Sequence, residues 1–198
     1  GLDQWVNRDF RALAVRRYDR TDTGRIHQED FAQVLGRPPG AKYDGKAEEM
    51  LIVVSQILGF EAFEQFMLRL AFTVAIGNFD AHLKNWSLFY PDPRIPRLAP
   101  LYDQVSTIAW PQLDRELSFK FLGAKHPGKL VLDSWGRLAS RLGCCDAASV
   151  EIRRKVASLL ESMRESWPEI RALLPREHSE EIVRHWGRLQ MLREVGSL

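Results

Sequence analysis

Asp80, His82, Lys84 and Asn85 put a carboxylate, an imidazole, an amine and a carboxamide within six positions, and Asp103 adds a second carboxylate 23 residues after the first. Phosphoryl transfer needs this set of groups. A carboxylate orients or deprotonates an acceptor hydroxyl, and hard oxygen donors hold Mg²⁺ against the phosphates of a nucleotide. A nearby cation neutralises charge on the transferring group. On that reading Asp80 addresses the acceptor, Asn85 and Asp103 are metal ligands, and Lys84 is the cation. His82 orients Asp80 or touches a phosphate. Each residue alone has a plainer explanation: Asp80 in an Asx turn, Asn85 capping a loop, His82 as a hydrogen-bonded structural histidine. Wedged together between an apolar run and a strand, they are costly without a purpose. The residues alone leave metal-dependent phosphotransfer and phosphoester hydrolysis open. Hydrolysis ranks last, because five scattered histidines supply few further ligands.

The elements that must position these groups follow from periodicity. Residues 61–76 read as a helix apolar on most faces near its end, hence central and buried. Gly77 stops it. Residues 86–90 alternate like a strand, Pro91-Asp92-Pro93 turns the chain, and residues 97–101 return, bringing Asp103 back beside Asp80. Pro100 suits an edge or an exit. Upstream, residues 12–20 carry strand-forming Val15 and Tyr18. Thr21 to Gly24 is a turn, and residues 28–35 suit a short helix with an acidic first turn. Residues 37–44 are loop, and residues 46–58 a helix closed by Gly59. Downstream, residues 130–142, 147–167 and 177–195 look helical, with Asp146 able to cap the second. The fold class expected is mainly α with a small β component.

The 198 residues and 45% hydrophobic content suffice for one core. A formal net charge of +2 is too balanced to argue for nucleic acid. Arg153, Arg154, Lys155, Arg164 and Arg184 are interleaved with Glu151, Glu161, Glu165 and Glu181, which reads as solvated helix faces with ion pairs. No apolar run reaches 18 residues, so no membrane span is expected. Adjacent Cys144 and Cys145 make no disulfide scaffold and no zinc set, favouring a reducing, cytoplasmic setting. Trp135, Trp167 and Trp186 are expected in the core, and Trp5 and Trp110 as exposed contact residues.

Three segments, in order over residues 12–107, resemble the C-terminal lobe of HipA-type serine/threonine kinases, the toxin kinases of bacterial toxin–antitoxin modules. Ala14-Val15-Arg16-Arg17-Tyr18-Asp19-Arg20 is similar to the family's strand-to-hinge segment. Ile26 to Gly36, followed by Lys42-Tyr43, is similar to its His-Gln-Glu-Asp segment. Ile76 to Asn85, followed by Leu98 to Asp103, is similar to its catalytic loop and metal-binding motif. The resemblance implies the helical C-terminal lobe of a protein-kinase-like, phosphoinositide-kinase-like fold over residues 1–198. In it, residues 12–20 are the hinge strand, 46–76 the core helices, 77–107 the catalytic loop and metal-binding hairpin, and 130–196 a helical bundle.

The same resemblance implies roles. Asp80 is the catalytic aspartate, and Asn85 and Asp103 bind Mg²⁺. His82 and Tyr102 line the nucleotide pocket, and Arg16 and Tyr18 lie at the adenine hinge. Position 16 departs from the family, which usually carries an acidic residue there; a backbone contact survives that change and a side-chain contact does not. Gln28, Glu29 and Asp30 support the loop behind the site, or else form the acidic first turn of a helix. The implied activity is ATP- and Mg²⁺-dependent phosphorylation of a protein hydroxyl. The implied partners are an antitoxin and a protein substrate such as an aminoacyl-tRNA synthetase. No Gly-rich loop precedes Val15 and no lysine precedes Lys42. The N-terminal lobe is therefore expected outside this sequence, in cis or as a separate subunit, and the chain alone is expected to bind ATP weakly. The alternative is a non-catalytic helical module that binds an antitoxin or target.

Overall fold

A computed structural model describes the backbone of residues 3–7 and 10–195 and the side chains of residues 15–195. Strands β1 (Asp3–Asn7) and β2 (Phe10–Ala14) form an antiparallel hairpin. Two short strands, β3 (Arg20–Thr21) and β4 (Gly24–Arg25), pair around the expected turn. Strand β5 (His27–Asp30) runs directly into helix α1 (Phe31–Val34). Strand β6 (Gly45–Lys46) leads into α2 (Ala47–Ala75). Strands β7 (Ser87–Asp92) and β8 (Ile95–Leu98) form the hairpin after the polar motif, and β5–β7–β8 is an antiparallel sheet. Strand β9 (Phe119–Lys120) pairs in parallel with β6. Helices α3 (Leu132–Arg141), α4 (Asp146–Glu165), α5 (Trp167–Ala172), α6 (Arg176–Arg188) and α7 (Gln190–Val195) complete the fold.

Helix α2 organises the core. Gly59 sits inside it at φ 81°, ψ −174°, so the helix is two segments joined at a kink, where the sequence places a stop. Phe66, in the second segment, lies 5.5 Å from Phe31 and 5.0 Å from Trp86, ring centre to ring centre. This aromatic stack ties α2 to α1 and to the start of β7. By length and mean hydropathy α2 is able to cross a bilayer. In this fold its buried Phe63, Phe66, Met67, Leu70 and Val74 belong to the shared core, and Glu64 pairs with Lys155 of α4 at 2.6 Å. Trp135 is fully buried, 4.6 Å from Phe121. Trp167 and Trp186 are half-buried with their rings tilted 5.0 Å apart, Trp110 is exposed, and the side chain of Trp5 lies outside the described residues. The charged helix faces do carry ion pairs, such as Arg154–Glu151 and Arg176–Glu180. Such exposed pairs add little stability each.

Several boundaries differ from expectation. The strand over 12–20 ends at Ala14, and residues 15–17 are exposed and irregular. Asp19 is buried and accepts from Arg17 at 2.8 Å and 2.6 Å and from Arg20, so the chain turns at Tyr18-Asp19 to close this cluster. The bonds from Arg17 hold the Asp19 carboxyl down at about 2. Residues 28–30 are strand rather than helix, because their backbone pairs with 87–89 of β7. Asp30 is the helix cap, not a first-turn acid. Its Oδ1 accepts from the Gln33 N–H at 2.9 Å, and Gln33 Oε1 accepts from the Asp30 N–H at 2.9 Å. Cys145 takes the N-cap position of α4 that Asp146 was expected to hold. The run 177–195 breaks at Leu189, which is extended at φ −80°, ψ 110°.

Candidate active site

The site is built on the C-terminal end of α2. A helix end leaves four carbonyls without intrahelical partners. Here the Ile76 and Asn78 N–H groups take Phe72 O and Thr73 O, and side chains from distant segments reach Val74 O, Ala75 O and the carbonyls just beyond. The His185 ring donates from Nε2 to Val74 O at 2.8 Å, and Trp186 Nε1 donates to Ala75 O at 2.9 Å. Ser106 Oγ donates to Ile76 O at 2.7 Å, and Thr107 Oγ1 donates to Gly77 O at 3.0 Å. Thr107 Oγ1 also accepts from the Phe79 N–H at 2.9 Å. Thr73 Oγ1 donates to Gln104 Oε1 at 3.0 Å. These bonds strap residues 104–107 across the helix end and thereby place Asp103. Gly77 turns the chain at φ 69°, and a Cβ there would lie 2.7 Å from Ile108 Cγ2. Only glycine meets both conditions.

Asp103 adopts a left-handed backbone at φ 54°, which aspartate tolerates better than most residues. Asn78 Nδ2 donates to its carbonyl at 3.1 Å, while Asn78 Oδ1 accepts from the Asp80 N–H at 3.2 Å. Asn78 is therefore the link between the two aspartate segments, a role its sequence position does not announce. Asn85 donates from Nδ2 to Asp103 Oδ2. The Asn85 side chain is buried, and its Oδ1 has no hydrogen-bond partner. An unpaired buried carbonyl is expensive.

Asp80 is exposed, and its Oδ1 accepts from the Tyr43 hydroxyl at 2.8 Å. His82 is buried, with its Nε2 3.0 Å from Lys42 Nζ. An ammonium only donates, so Nε2 accepts and the ring proton sits on Nδ1. That Nδ1 is buried and has no partner. Burial first, then the Lys42 charge, holds the His82 pKa below its ordinary value, against the pull of Asp80 and Asp103. His82 thus stays neutral and presents one unused N–H. Lys84 is exposed; its carbonyl accepts from the Tyr102 hydroxyl at 2.8 Å.

A second group lies on the sheet side. Tyr102 is half-buried, and its hydroxyl is 2.6 Å from Ser87 Oγ; burial raises its pKa. Tyr18 lies 6.0 Å from Tyr102 and edge-on to Phe89 at 5.7 Å, and donates to Gln28 Oε1 at 2.5 Å. Strand alternation separates the polar trio. Gln28 joins Tyr18, whereas Glu29 accepts from Tyr90 at 2.5 Å. The Tyr90 hydroxyl is pushed up to about 12 by burial and by Glu29. The Arg16 side chain is exposed.

The structure thus brings Asn85 against Asp103 and sets Tyr18, Gln28 and Tyr102 together; Lys84 and Arg16 lie at the surface. Lys42 and Tyr43, which contact His82 and Asp80, had no role assigned from sequence. They sit 40 and 37 residues away from those partners, with no periodic signal to connect them. Among the described residues no group of three or more His, Cys, Asp or Glu side chains is arranged to hold a metal. One carboxylate and one carboxamide oxygen still suit Mg²⁺, which keeps waters and phosphates in its other positions. The partnerless Asn85 Oδ1 fits that donor set.

The HipA-like C-terminal domain family matches residues 4–169. Two proteins of Sinorhizobium fredii named as kinases are similar to this chain. Y4dM is 37% identical over 180 residues, covering 88% of this chain and 42% of the relative. Y4mE is 33% identical over 165 residues, covering 78% and 38%. The chain thus spans less than half the length of these relatives. Among solved structures, the HipA of Shewanella oneidensis MR-1, in a toxin–antitoxin complex with HipB and operator DNA, superposes with a TM-score of 0.75 at 20% identity. That match covers 100% of this chain and 53% of the other, and it establishes the shared fold. By the family match and the identity to Y4dM, this chain belongs to the HipA-like C-terminal domain family.

Proposed function

We propose that this chain is the catalytic half of an ATP- and Mg²⁺-dependent protein serine/threonine kinase and the toxin partner of an antitoxin protein. The observation that carries the reading is the buried, partnerless Asn85 Oδ1 beside the Asp103 carboxylate. Asn85 and Asp103 would hold the metal, which when bound neutralises charge on the nucleotide's phosphates. Asp80 orients the acceptor hydroxyl and takes its proton; the Tyr43 hydroxyl on Asp80 Oδ1 supports that reading, since it shows the carboxylate able to accept from a hydroxyl. Neutral His82 would donate a hydrogen bond from its Nδ1–H to a phosphate oxygen, and Lys42 fixes that tautomer from the opposite nitrogen. Tyr18 and Tyr102 offer an aromatic wall for the base. The remaining phosphate contacts belong to the further length that Y4dM and Y4mE carry. The antitoxin is proposed from the complex in which the Shewanella protein was solved.

The test is phosphotransfer from labelled ATP to protein substrates. It is measured with this chain alone and with the chain joined to the remaining length of a relative such as Y4dM. Activity in the joined form, abolished by Asp80→Asn and by Asp103→Asn, supports the reading. Antitoxin binding without any phosphotransfer in either form would overturn it in favour of a non-catalytic module.

A further inference from the structure

A groove of about 980 Å³ lies between α2 and β8, the edge strand of the three-stranded sheet. On the α2 wall, Glu61, Gln65 and Arg69 stand four residues apart on one helix face after the kink, and Ile57 lies just before it. The other wall carries Arg94 of the hairpin turn, then Ile95 and Arg97, which alternate with Pro96 and Leu98 along β8 and are both exposed. Charge in the groove is one-sided: Arg69, Arg94 and Arg97 line it with a single carboxylate, Glu61. None of these four is in an ion pair among the described residues. Asp92, next to the turn, accepts from the Arg94 N–H at 2.8 Å, a bond to its backbone and not its guanidinium. Arg69 is half-buried and makes one hydrogen bond among the described residues, from Nη1 to Ala99 O at 2.6 Å. Burial lowers its pKa and no carboxylate offsets that. A guanidinium stays charged, so this cost stands until an anion arrives. Ile57 and Ile95 are 47% and 57% exposed on opposite walls, and Leu58, Leu98 and Pro100 join them in one apolar lining. A contiguous apolar patch rimmed by polar groups marks an interaction site.

We propose that this groove docks an acidic segment of a partner protein, with one large apolar side chain between Ile57 and Ile95 and carboxylates on Arg69, Arg94 and Arg97. Arginine suits this task, because its planar fork meets a carboxylate with two parallel bonds. Side chains carry the recognition, since Pro96 removes an N–H from the β8 edge and leaves it poor for strand addition. A nucleic-acid backbone would match the charge but not the apolar lining. A second copy of this chain, at a formal net charge of +2, would bring like charge. The inference goes beyond the kinase reading and does not need it: Asp80, His82, Asn85, Tyr102 and Asp103 are all absent from the groove's lining.

The experiment is fluorescence anisotropy on this chain with labelled twelve-residue peptides. One peptide carries aspartate and glutamate around a central leucine, a second replaces the acids by lysine, and a third replaces the leucine by serine. The acidic leucine peptide should bind ~10-fold more tightly than either of the others at low salt, and rising salt should narrow its lead over the lysine peptide. The exposed Arg94→Glu, Arg97→Glu double variant should weaken that binding ~10-fold, whereas Lys129→Glu, Arg141→Glu, an equal charge change at exposed residues outside the groove, should leave it nearly unchanged. Equal binding of the acidic and lysine peptides, equal weakening by the two double variants, or no loss on removing the leucine would overturn the proposal. So would a labelled single-stranded oligonucleotide that binds as tightly as the peptide, or self-association of the chain that Arg94→Glu, Arg97→Glu abolishes. Asp80→Asn and Asp103→Asn should leave peptide binding intact, so the docking and kinase readings fail separately.

Discussion

Asn85 and Asp103, 18 residues apart in sequence, share a hydrogen bond in which the carboxamide is the donor. The arrangement leaves Asn85 Oδ1 buried and unused, next to a carboxylate. Replacing this neutral partner by a carboxylate should expose the site's purpose. In Asn85→Asp two like charges face each other, so stability without metal should fall by about 1–3 kcal/mol. Mg²⁺ should restore more stability in the variant than in the wild type. Thermal melts with and without Mg²⁺ check this, and equal Mg²⁺ effects on the two proteins would contradict it.

Lys42 is expected to set the titration of His82. Its charge helps hold the His82 pKa below the ordinary value, so Lys42→Met should raise that pKa. Any step that needs neutral His82 persists until the pH falls through the lowered pKa. In the variant the loss should begin at higher pH. Ring-proton titration by NMR measures the shift directly, and an unchanged His82 titration would refute this role of Lys42.

Gly77→Ala should be among the most damaging small substitutions near the site. The added Cβ meets Ile108 Cγ2 at 2.7 Å on a backbone at φ 69°. A cost of about 2–4 kcal/mol is expected from overpacking and strain together. Gly59→Ala meets nothing within 4 Å, but its backbone at φ 81°, ψ −174° is one that essentially only glycine adopts, so strain alone should cost about 1–3 kcal/mol. Urea unfolding of both variants tests the ranking.

His185 should make stability pH-dependent. Burial, opposed by its bond to Val74 O and helped by Arg115 and Arg188, lowers its pKa from 6.5 to about 4. In the unfolded chain the ring returns to the ordinary value and binds a proton first as pH falls. The native state is therefore favoured fully above about 6.5 and loses stability as pH drops toward 4, by about 3 kcal/mol in all. His185→Gln should flatten that slope, which urea titrations at stepped pH will show.

Much of the site's framework was legible because local chemistry decides it. Gly59 and Gly77 stop helical runs, and polar Asp80, His82 and Asn85 stand out against apolar neighbours. The β7–β8 hairpin follows from alternation and from the turn at Pro93 between its strands. What was not legible depends on partners far along the chain. Residues 28–30 read as the start of a helix until β7 claims their backbone. Val15 and Tyr18 favour a strand over 12–20, yet Asp19 and its two arginines bend the chain there. Tyr43 on Asp80, Lys42 on His82, and His185 and Trp186 on the end of α2 join residues 37 to 111 positions apart. Periodicity carries no trace of such contacts.

The most direct test of the account follows the Asn85 side-chain amide by ¹⁵N NMR while Mg²⁺ and a non-hydrolysable ATP analogue are titrated in. The expected result is a Mg²⁺-dependent shift of the Asn85 Nδ2 signals, as Oδ1 takes up the metal and the bond to Asp103 changes, and its loss in Asp103→Asn. Nucleotide binding that leaves the Asn85 amide unmoved by Mg²⁺ would contradict the assignment of this pair as the metal site.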